Sequence, residues 1–325
     1  MRLLLMPAIL LFGLVTSCAH AQVSNAKQAN IADTSRSASS RVAPQQPFDM
    51  PASEREDLAE NPSWAAPQKP IRIYGNTWNV GPQGLGVFLI TSRTGDVLID
   101  GGVPGDASQI EANIRQLGVN LRDIKWILNS HAHFDHAGDI AQLMHDTGAQ
   151  MIASADDAAL LKRGGHDDPE YGDRFPFPPV HVTRTVNDGE SLHLGTLQLT
   201  AHSTPGHTRG NTTWTWTSCE SKRCLHMIDV ASLSAPGYKL IGNPQYPDIV
   251  NDFERSFVVV AALPCDVALA PHPGTVDFWA RVARREQGDP NALIDPTLCR
   301  AITKEARESF EAQLGKERAD TASVK

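Results

Sequence analysis

The spacing of hydrophobic residues changes along the chain, and the changes predict a mixture of strands and helices. Short apolar runs separated by Gly, Asn and Pro predict strands at 71–74 and 96–99, with two more between them. Apolar residues at helical spacing predict a helix at 107–117. Another apolar run predicts a buried strand at 124–128, and further helices are predicted at 137–145 and 156–162. This part of the chain therefore begins with strands, and helices follow.

The second half of the chain repeats this order. Strands are predicted first, at 182–186, 197–202, 212–217 and 225–228. Helices follow at 253–262, at 276–287 and from 299 onward, with one strand at 267–270. Strands followed by helices in each half predict an α/β fold, an αββα sandwich of two β-sheets packed face to face with helices on the outer faces.

The first residues have the composition of an export signal. Arg2 precedes an apolar run, 3–15, that is too short to span a bilayer. The tripeptide Ala-His-Ala at 19–21 fits the small-x-small rule for signal cleavage. Residues 15–18 instead resemble a bacterial lipoprotein box, in which Cys18 would be lipidated. Both alternatives predict a periplasmic protein, either soluble or tethered to the outer membrane through Cys18.

These two cleavage sites set the predicted boundaries. The signal peptide covers 1–21, or 1–17 in a lipoprotein. Residues 22–60 are rich in Ser, Ala, Gln and Asn with little periodicity, and we expect a flexible or weakly helical leader there. We expect 61–325 to form a single domain and the protein to be a monomer. The net charge of −8 and the lack of a basic patch argue against a nucleic-acid partner.

Four cysteines besides Cys18 form an even set, as disulfides in an oxidising compartment require. Cys219 and Cys224 flank a polar turn between two strand-like runs, so they can close a hairpin. A bond between Cys265 and Cys299 would then tie a strand to the C-terminal helix. The alternative is four free buried thiols, which an exported chain favours less.

Residues 131–136 read His-Ala-His-Phe-Asp-His and carry the main chemical signal. Side chains at i and i+2 of an extended segment point the same way, so His131 and His133 can hold one ion together. Asp135 and His136 follow as the chain turns into a helix, and they can face a second ion. Neutral imidazoles and carboxylates bind transition metals. Because two-metal sites are commonly hydrolytic, the stretch predicts a hydrolase with two neighbouring metals.

Two further histidines lie in ligand-like settings. His207 lies in a Pro-Gly loop after a predicted strand, and His272 directly follows a buried strand. Functional side chains are often carried on loops at strand ends. The remaining isolated histidines are expected to have surface or structural roles; they are His145, His166, His181, His193, His202 and His226.

These motifs resemble the metallo-β-lactamase superfamily, whose hallmark is His-x-His-x-Asp-His. The segments that are more closely similar to subclass B3 metallo-β-lactamases are 73–78, 131–138, 204–211, 214–216, 232–238 and 271–274. The similarity extends over about residues 61–315. It implies the fold of that superfamily, with two packed mixed β-sheets and helices on both outer faces.

The resemblance also implies two zinc ions per chain and assigns their ligands. The first zinc would be held by His131, His133 and His207. The second zinc would be held by Asp135, His136 and His272.

The activity that the resemblance implies is that of an exported β-lactamase. It would hydrolyse the amide bond of penicillins, cephalosporins and carbapenems and confer antibiotic resistance. Zinc-bound hydroxide would attack the lactam carbonyl, with Asp135 holding it in line. Ser232 and Ser234 would bind the substrate carboxylate, and Tyr238 would help to polarise the carbonyl.

One position departs from the subclass and keeps two other hypotheses open. Related members often have Asp before the first serine of this segment, whereas this chain has Ala231 there and Asp229 nearby. An aspartate near this point bridges the metals in other superfamily hydrolases. A bridging Asp229 would favour a lactonase, a thioesterase or a phosphodiesterase, and the alternative is a supporting or turn aspartate. A non-catalytic metal-binding lipoprotein is the third hypothesis, but all six ligand positions carry suitable residues.

Overall fold

The computed structural model describes residues 48–323. Within them, a seven-stranded sheet has its strands in the order of the chain. They are β1 (Ile71–Tyr74), β2 (Thr77–Asn79), β3 (Phe88–Ile90), β4 (Asp96–Ile99), β5 (Ile124–Leu128), β6 (Gln150–Ser154) and β7 (Arg184–Val186). The pairs from β1 to β4 are antiparallel and those from β4 to β7 are parallel, so the sheet is mixed.

The second sheet has five strands in the spatial order β12-β11-β10-β9-β8. They are β8 (Ser191–Leu194), β9 (Leu197–Ser203), β10 (Thr212–Glu220), β11 (Arg223–Asp229) and β12 (Val267–Leu269). Only the β11–β12 pair of this sheet is parallel, so it too is mixed.

The helices of the described residues lie before, between and after these strands. They are α1 (Ala52–Glu60), α2 (Ala107–Gln116), α3 (Phe134–Ala137), α4 (Ile140–Thr147), α5 (Ala155–Lys162), α6 (Ile249–Ala262), α7 (Phe278–Glu286) and α8 (Leu298–Ser323). Among residues 48–323, no helix combines the length and the hydrophobicity that a bilayer crossing requires.

Strand β4 shows how the layers are built. Val97 and Ile99 belong to a core that also contains Trp214 of the second sheet. Leu98 lies in a separate core with Ile110 of α2. Because alternate residues of a strand face opposite sides, one face of β4 packs on the second sheet and the other lies beneath helices. The predicted αββα sandwich of two mixed sheets is confirmed.

The folded part begins earlier than the boundary predicted at residue 61. Helix α1 lies within the segment expected to be a flexible leader, and the side chain of Glu54 in it is fully buried. Leu58 packs against the core beneath the first sheet. The helix escaped prediction because Leu58 is its only large apolar residue, so it lacks a periodic apolar face. The other expected N-terminal features, including the signal peptide and Cys18, lie outside the described residues.

The helix predicted at 137–145 is interrupted in the structure. Helix α3 ends before Gly138, and α4 begins after Asp139. The Asp139 carboxylate accepts hydrogen bonds from the backbone N–H groups of Gly105 (2.8 Å) and Ala107 (2.6 Å). A Cβ on Gly138 would lie 2.5 Å from the backbone nitrogen of Pro104, so this close approach requires glycine. These contacts at the break between α3 and α4 hold the metal-binding segment against the loop that precedes α2.

Both expected disulfides are present. Cys219 and Cys224 are paired residues of β10 and β11 and close that hairpin. Cys265 and Cys299 join the segment before β12 to the first turn of α8. The C-terminal helix is thereby covalently attached beside the strand that leads to His272.

Candidate metal centre

The six predicted ligands come from three loops that follow strands. The His-x-His-x-Asp-His segment follows β5, the loop 204–211 joins β9 to β10, and His272 lies three residues beyond the end of β12. The backbone N–H of Thr212 donates to the carbonyl of Ser130 (2.8 Å), which ties the first two loops together. Three distant parts of the sequence thus meet at one edge of the sandwich.

The first ligand group, which we define as His131, His133 and His207, is buried. The Nδ1 atom of His133 lies 3.1 Å from Nε2 of His207. The Nε2 atom of His131 is buried and has no hydrogen-bond partner among the described residues. A buried polar atom normally has a partner, so a metal ion fits this group of converging nitrogen atoms.

The second ligand group, which we define as Asp135, His136 and His272, is equally compact. The Oδ2 atom of Asp135 lies 3.0 Å from Nε2 of His136 and 3.2 Å from Nε2 of His272. The two Nε2 atoms are 3.2 Å apart. One carboxylate and two imidazoles are a suitable donor set for a second transition-metal ion.

The protonation preferences of the ligands suit metal binding. Burial, together with the neighbouring histidines, holds the pKa values of His131 and His207 well below the usual value, which keeps these imidazoles neutral. Burial opposes ionisation of Asp135, but His136 and His272 overcome it and hold the pKa of that carboxyl well below its usual value. Neutral imidazoles and an ionised carboxylate are the forms that bind metals.

Two histidines of the first ligand group, His131 and His207, have their second ring nitrogen in a hydrogen bond. Nδ1 of His207 donates to the carbonyl of Ser234 (2.7 Å). Nδ1 of His131 lies 3.1 Å from the Ser130 hydroxyl, which itself donates to Asp100 (2.6 Å) and so accepts from the imidazole. These contacts leave Nε2 of both histidines free to face a metal, since the tautomer is set by the other nitrogen.

His133 is oriented by a carboxylate from the loop that follows α5. Its Nε2 atom lies 3.5 Å from Oδ2 of Asp168, which leaves Nδ1 for the metal side. Burial disfavours the imidazolium, but Asp168 and the more distant Asp135 and Asp157 raise the pKa of His133 overall. Asp168 is held in turn by the backbone N–H groups of Glu170 and Tyr171, at 2.7 and 2.8 Å.

Asp157 connects the two loops that carry the first ligand group. Its carboxylate accepts from the backbone N–H of Ala132 (3.0 Å), from the backbone N–H of Gly210 (3.1 Å) and from the hydroxyl of Thr208 (3.1 Å). Burial raises the pKa of Asp157 to about 7. A Cβ on Gly210 would lie 2.4 Å from the Asp157 nitrogen, so glycine permits this contact.

A cavity of about 310 Å³ opens above the ligands. His133, Asp135, His207 and His272 line its floor. Its other walls include Asp57, Trp64, Asp168, Tyr171, Arg174, Phe175, Ser234 and Pro236. A concave site with an aromatic rim and converging polar groups is typical of a small-molecule enzyme.

The family to which the chain belongs follows from a match along most of the folded part. The model of the metallo-β-lactamase superfamily matches residues 86–294. The chain belongs to this superfamily.

Solved structures of subclass B3 enzymes of this superfamily are similar along nearly their whole length. The subclass B3 metallo-β-lactamase MEM-A1 from a soil metagenome library is 42% identical, with a TM-score of 0.76, over 79% of this chain and 99% of the other. BJP-1 of Bradyrhizobium japonicum, also of subclass B3, is 36% identical, with a TM-score of 0.75, over 80% and 98%. The expected resemblance to the superfamily and to subclass B3 is confirmed.

Curated relatives of other names are more distant. A hydroxyacylglutathione hydrolase of Methylobacterium sp. is 27% identical over 71% of this chain and 83% of its own length. The chain spans about a third of the length (32%) of a second such hydrolase, from Idiomarina loihiensis, at 30% identity. The relatives thus establish a superfamily hydrolase and leave its substrate to be argued from the site.

The predicted substrate-binding serines lie beside the first ligand group. Ser234 lines the cavity, and its hydroxyl is 3.0 Å from that of Ser232. The carbonyl of Ser232 accepts from the Asn211 side chain (3.0 Å), and the carbonyl of Ser234 accepts from His207. The two hydroxyls are therefore held by a segment that is fixed to the ligand loop.

Tyr238 differs from the expected arrangement. It is buried, and its ring stacks on His207 with 5.5 Å between centroids. Its hydroxyl donates to the carbonyl of His207 (3.0 Å) and does not reach the cavity. The structure thus places the Tyr238 hydroxyl against the His207 backbone and outside the lining of the cavity.

Asp229 belongs to neither ligand group in the part of the chain that the structure describes. It is fully buried, and neither carboxylate oxygen has a hydrogen-bond partner there. Burial, with the nearby charge of Asp100, holds the pKa of Asp229 well above its usual value, which favours the protonated acid. These features argue against a metal-bridging role for Asp229.

Several residues that shape the site carried no signal in the sequence. Trp64 lies within 5.4 Å of His272 between ring centroids, although it stands close to the expected leader. Asp168 lies in a Gly- and Pro-rich loop, where its position in space cannot be read from spacing. Asp157 was assigned only to a helix. Phe175, in the same loop as Asp168, lines the cavity, whereas Phe177 is buried away from it.

Proposed function

We propose that this protein is an exported dizinc β-lactamase that hydrolyses the lactam amide of penicillins, cephalosporins and carbapenems and confers antibiotic resistance. The observation that carries the proposal is the placement of the Ser232–Ser234 hydroxyl pair beside two three-residue ligand groups. A β-lactam presents a carboxylate close to its reactive amide. Similarity to subclass B3 structures along 98–99% of their length supports the same substrate class.

The residues that line the cavity have different roles in the proposed hydrolysis. The two ligand groups would hold zinc, which when bound would supply Lewis acidity and a hydrolytic nucleophile at neutral pH. Asp135 lines the cavity as a carboxylate and can accept a hydrogen bond from the attacking water. The Ser234 hydroxyl donates to the substrate carboxylate, a charge-assisted contact worth about 1.5–3 kcal/mol. Trp64 and Phe175 cover the apolar part of the substrate and exclude water.

Hydrolysis of a chromogenic cephalosporin tests this function. We expect turnover by the purified protein, loss of turnover with a chelator and recovery when zinc is added. Exchange of the exposed His193 for Ala is the matched control and should leave turnover unchanged. No turnover by the fully metallated protein, together with rapid opening of a homoserine lactone, would show that the enzyme is a lactonase.

The second candidate function is thioester hydrolysis, which the hydroxyacylglutathione hydrolases among the relatives favour. The burial of Asp229 outside both ligand groups counts against a metal-bridging arrangement. The same protein should be assayed on a hydroxyacylglutathione. A kcat/KM for this thioester above that for every β-lactam would replace the proposed function.

Export is part of the proposal. The residues that carry it are the apolar run 3–15 and the alternative processing sites around Cys18. Two disulfides in the folded part agree with an oxidising compartment. Partition of the exported protein into detergent, lost with Cys18→Ala, would identify a lipoprotein, and its absence a soluble periplasmic enzyme.

A further inference from the structure

A second cavity adjoins the metal centre at the serine segment. It measures about 240 Å³, and Ser234 and His272 line both this cavity and the one above the ligands. The far wall is formed by Ile302 and Ala306 of α8. We call this space the α8 cavity. Since two residues are common to both cavities, a molecule bound at the metal centre can extend toward it.

The walls of the α8 cavity are mainly apolar. Val230, Leu233 and Ala270 contribute aliphatic side chains. The main-chain N–H of Val230 is already bonded, since it donates to the Leu269 carbonyl (2.9 Å). The carbonyls of the serine segment are occupied by Asn211 and His207, as described above. An apolar group can therefore enter without leaving these polar groups unsatisfied.

The α8 wall is fixed in place. Ile302 and Ala306 are four residues apart and so lie on one face of the helix. The disulfide from Cys265 to Cys299 attaches the first turn of α8 to the segment that leads into β12. A rigid wall can select among substituents by size, because it cannot move aside at low cost.

We propose that the α8 cavity is a specificity subsite for an apolar substituent on the ring carbon next to the one that bears the substrate carboxylate. This rests on the proposed β-lactamase function. Ser232 and Ser234, the proposed partners of the carboxylate, both line the α8 cavity, so a substituent on the adjacent ring carbon would have this cavity beside it. The volume of about 240 Å³ gives room for roughly eight water-sized groups, at about 30 Å³ each.

A pair of cephalosporins with the same acyl side chain tests the subsite. One carries a methyl group on the carbon next to the carboxylate-bearing carbon, and the other carries a bulky apolar group there. Ala306→Phe fills the cavity, so we expect the ratio of kcat/KM for the bulky over the methyl compound to fall about tenfold, mainly through KM. Ala306→Leu should have a smaller effect in the same direction, which keeps the test valid if the phenylalanine variant does not fold.

Ala301→Phe is the matched control, because Ala301 is an exposed residue of the same helix and lies outside the cavity. It should leave the ratio unchanged.

If both Ala306 variants hydrolyse both compounds with the wild-type ratio, the subsite is overturned and the proposed function stands. A molecule with an apolar chain, such as decanoate, gives a further outcome. If it inhibits noncompetitively with respect to the cephalosporin and the Ala306 variants relieve only that inhibition, the cavity binds an independent ligand. That result also overturns the proposal. If the zinc-loaded wild-type protein hydrolyses neither cephalosporin, the proposed function fails and the subsite fails with it.

Discussion

The two ligand groups of this site are built from similar side chains but are supported differently. In the first ligand group, every histidine has its second ring nitrogen near a polar partner, at 2.7, 3.1 and 3.5 Å. In the second, Nδ1 of His136 is 3.8 Å from Asp100, beyond hydrogen-bond distance. The His272 side chain is 34% exposed, and the aromatic ring against it is that of Trp64.

This difference predicts different metal affinities. Partners that hold a ligand's orientation reduce the cost of ordering it when the metal binds. The first ligand group is already ordered by the strand-end loops and by Asp168. The second depends on His272 and on the N-terminal segment that carries Trp64. We therefore expect the first zinc to bind more tightly than the second.

The largest expected effect comes from removing one ligand of each group. His272→Ala should lower bound zinc from two toward one per chain and leave the tighter site occupied. His207→Ala should instead remove the more tightly bound zinc, because the substitution takes a buried metal-binding nitrogen from the first ligand group. Metal analysis after dialysis measures both variants. Unchanged zinc content in His272→Ala would refute its role as a ligand.

The next effect concerns the carboxylate that orients His133. Asp168→Asn should weaken the tighter zinc about 10–100-fold, since removal of such a partner has effects of this size. Competition with a chromophoric chelator gives the affinity. Asp167→Asn is the control, because that neighbouring residue is exposed and its side chain contacts neither ligand group. Equal affinities for the tighter zinc in the two variants would show that Asp168 does not cause the difference in affinity between the two zinc sites.

A smaller effect is expected at the second ligand group from the aromatic rim. Trp64→Ala removes the ring that packs against His272, and we expect the weaker zinc to lose a few-fold in affinity while the tighter zinc does not change. Trp64→Phe keeps an aromatic ring and should retain most of the affinity. A loss confined to the tighter site would contradict the assignment of Trp64 to the second.

The smallest effect is a pH dependence of the N-terminal segment itself. Burial raises the pKa of Glu54 from 4.5 to about 8. The folded state then keeps a proton that the unfolded chain releases, so the contribution of Glu54 to stability is fully present below about pH 4.5 and is lost as the pH rises toward 8 and above. Glu54→Gln should flatten the decline of Tm between about pH 6 and pH 9. Glu56→Gln, at an exposed position of the same helix, should leave that decline as it is.

The sequence predicted the parts of the molecule that depend on local pattern. Strand β5 was predicted at its observed bounds, and the His-x-His-x-Asp-His segment after it indicated two metals. His207 and His272 were recognisable because each follows a strand. What the sequence could not predict was proximity between distant loops. Asp168 meets His133 from 35 positions further along the chain, and no periodicity in either segment encodes that contact.

The structure differs from the expectations where tertiary packing determines the local conformation more strongly than local composition does. Residues 52–60 lack an apolar face and were assigned to a flexible or weakly helical leader, whereas they form the ordered helix α1 and bury Glu54. Strand β8 was missed because Ser191–Leu194 is short and has only two apolar positions. Tyr238 belongs to a motif that the resemblance associates with substrate contact, but its stacking on His207 directs the hydroxyl to the backbone.

Zinc titration of the metal-free protein, in which bound metal and cephalosporin hydrolysis are measured on the same samples, decides whether the protein is a dizinc β-lactamase. Our prediction is that each chain takes up two zinc ions in two steps of different affinity, with β-lactam hydrolysis that a chelator abolishes. Hydrolysis that persists without metal, or full loading with two zinc ions and no β-lactam turnover, would contradict it.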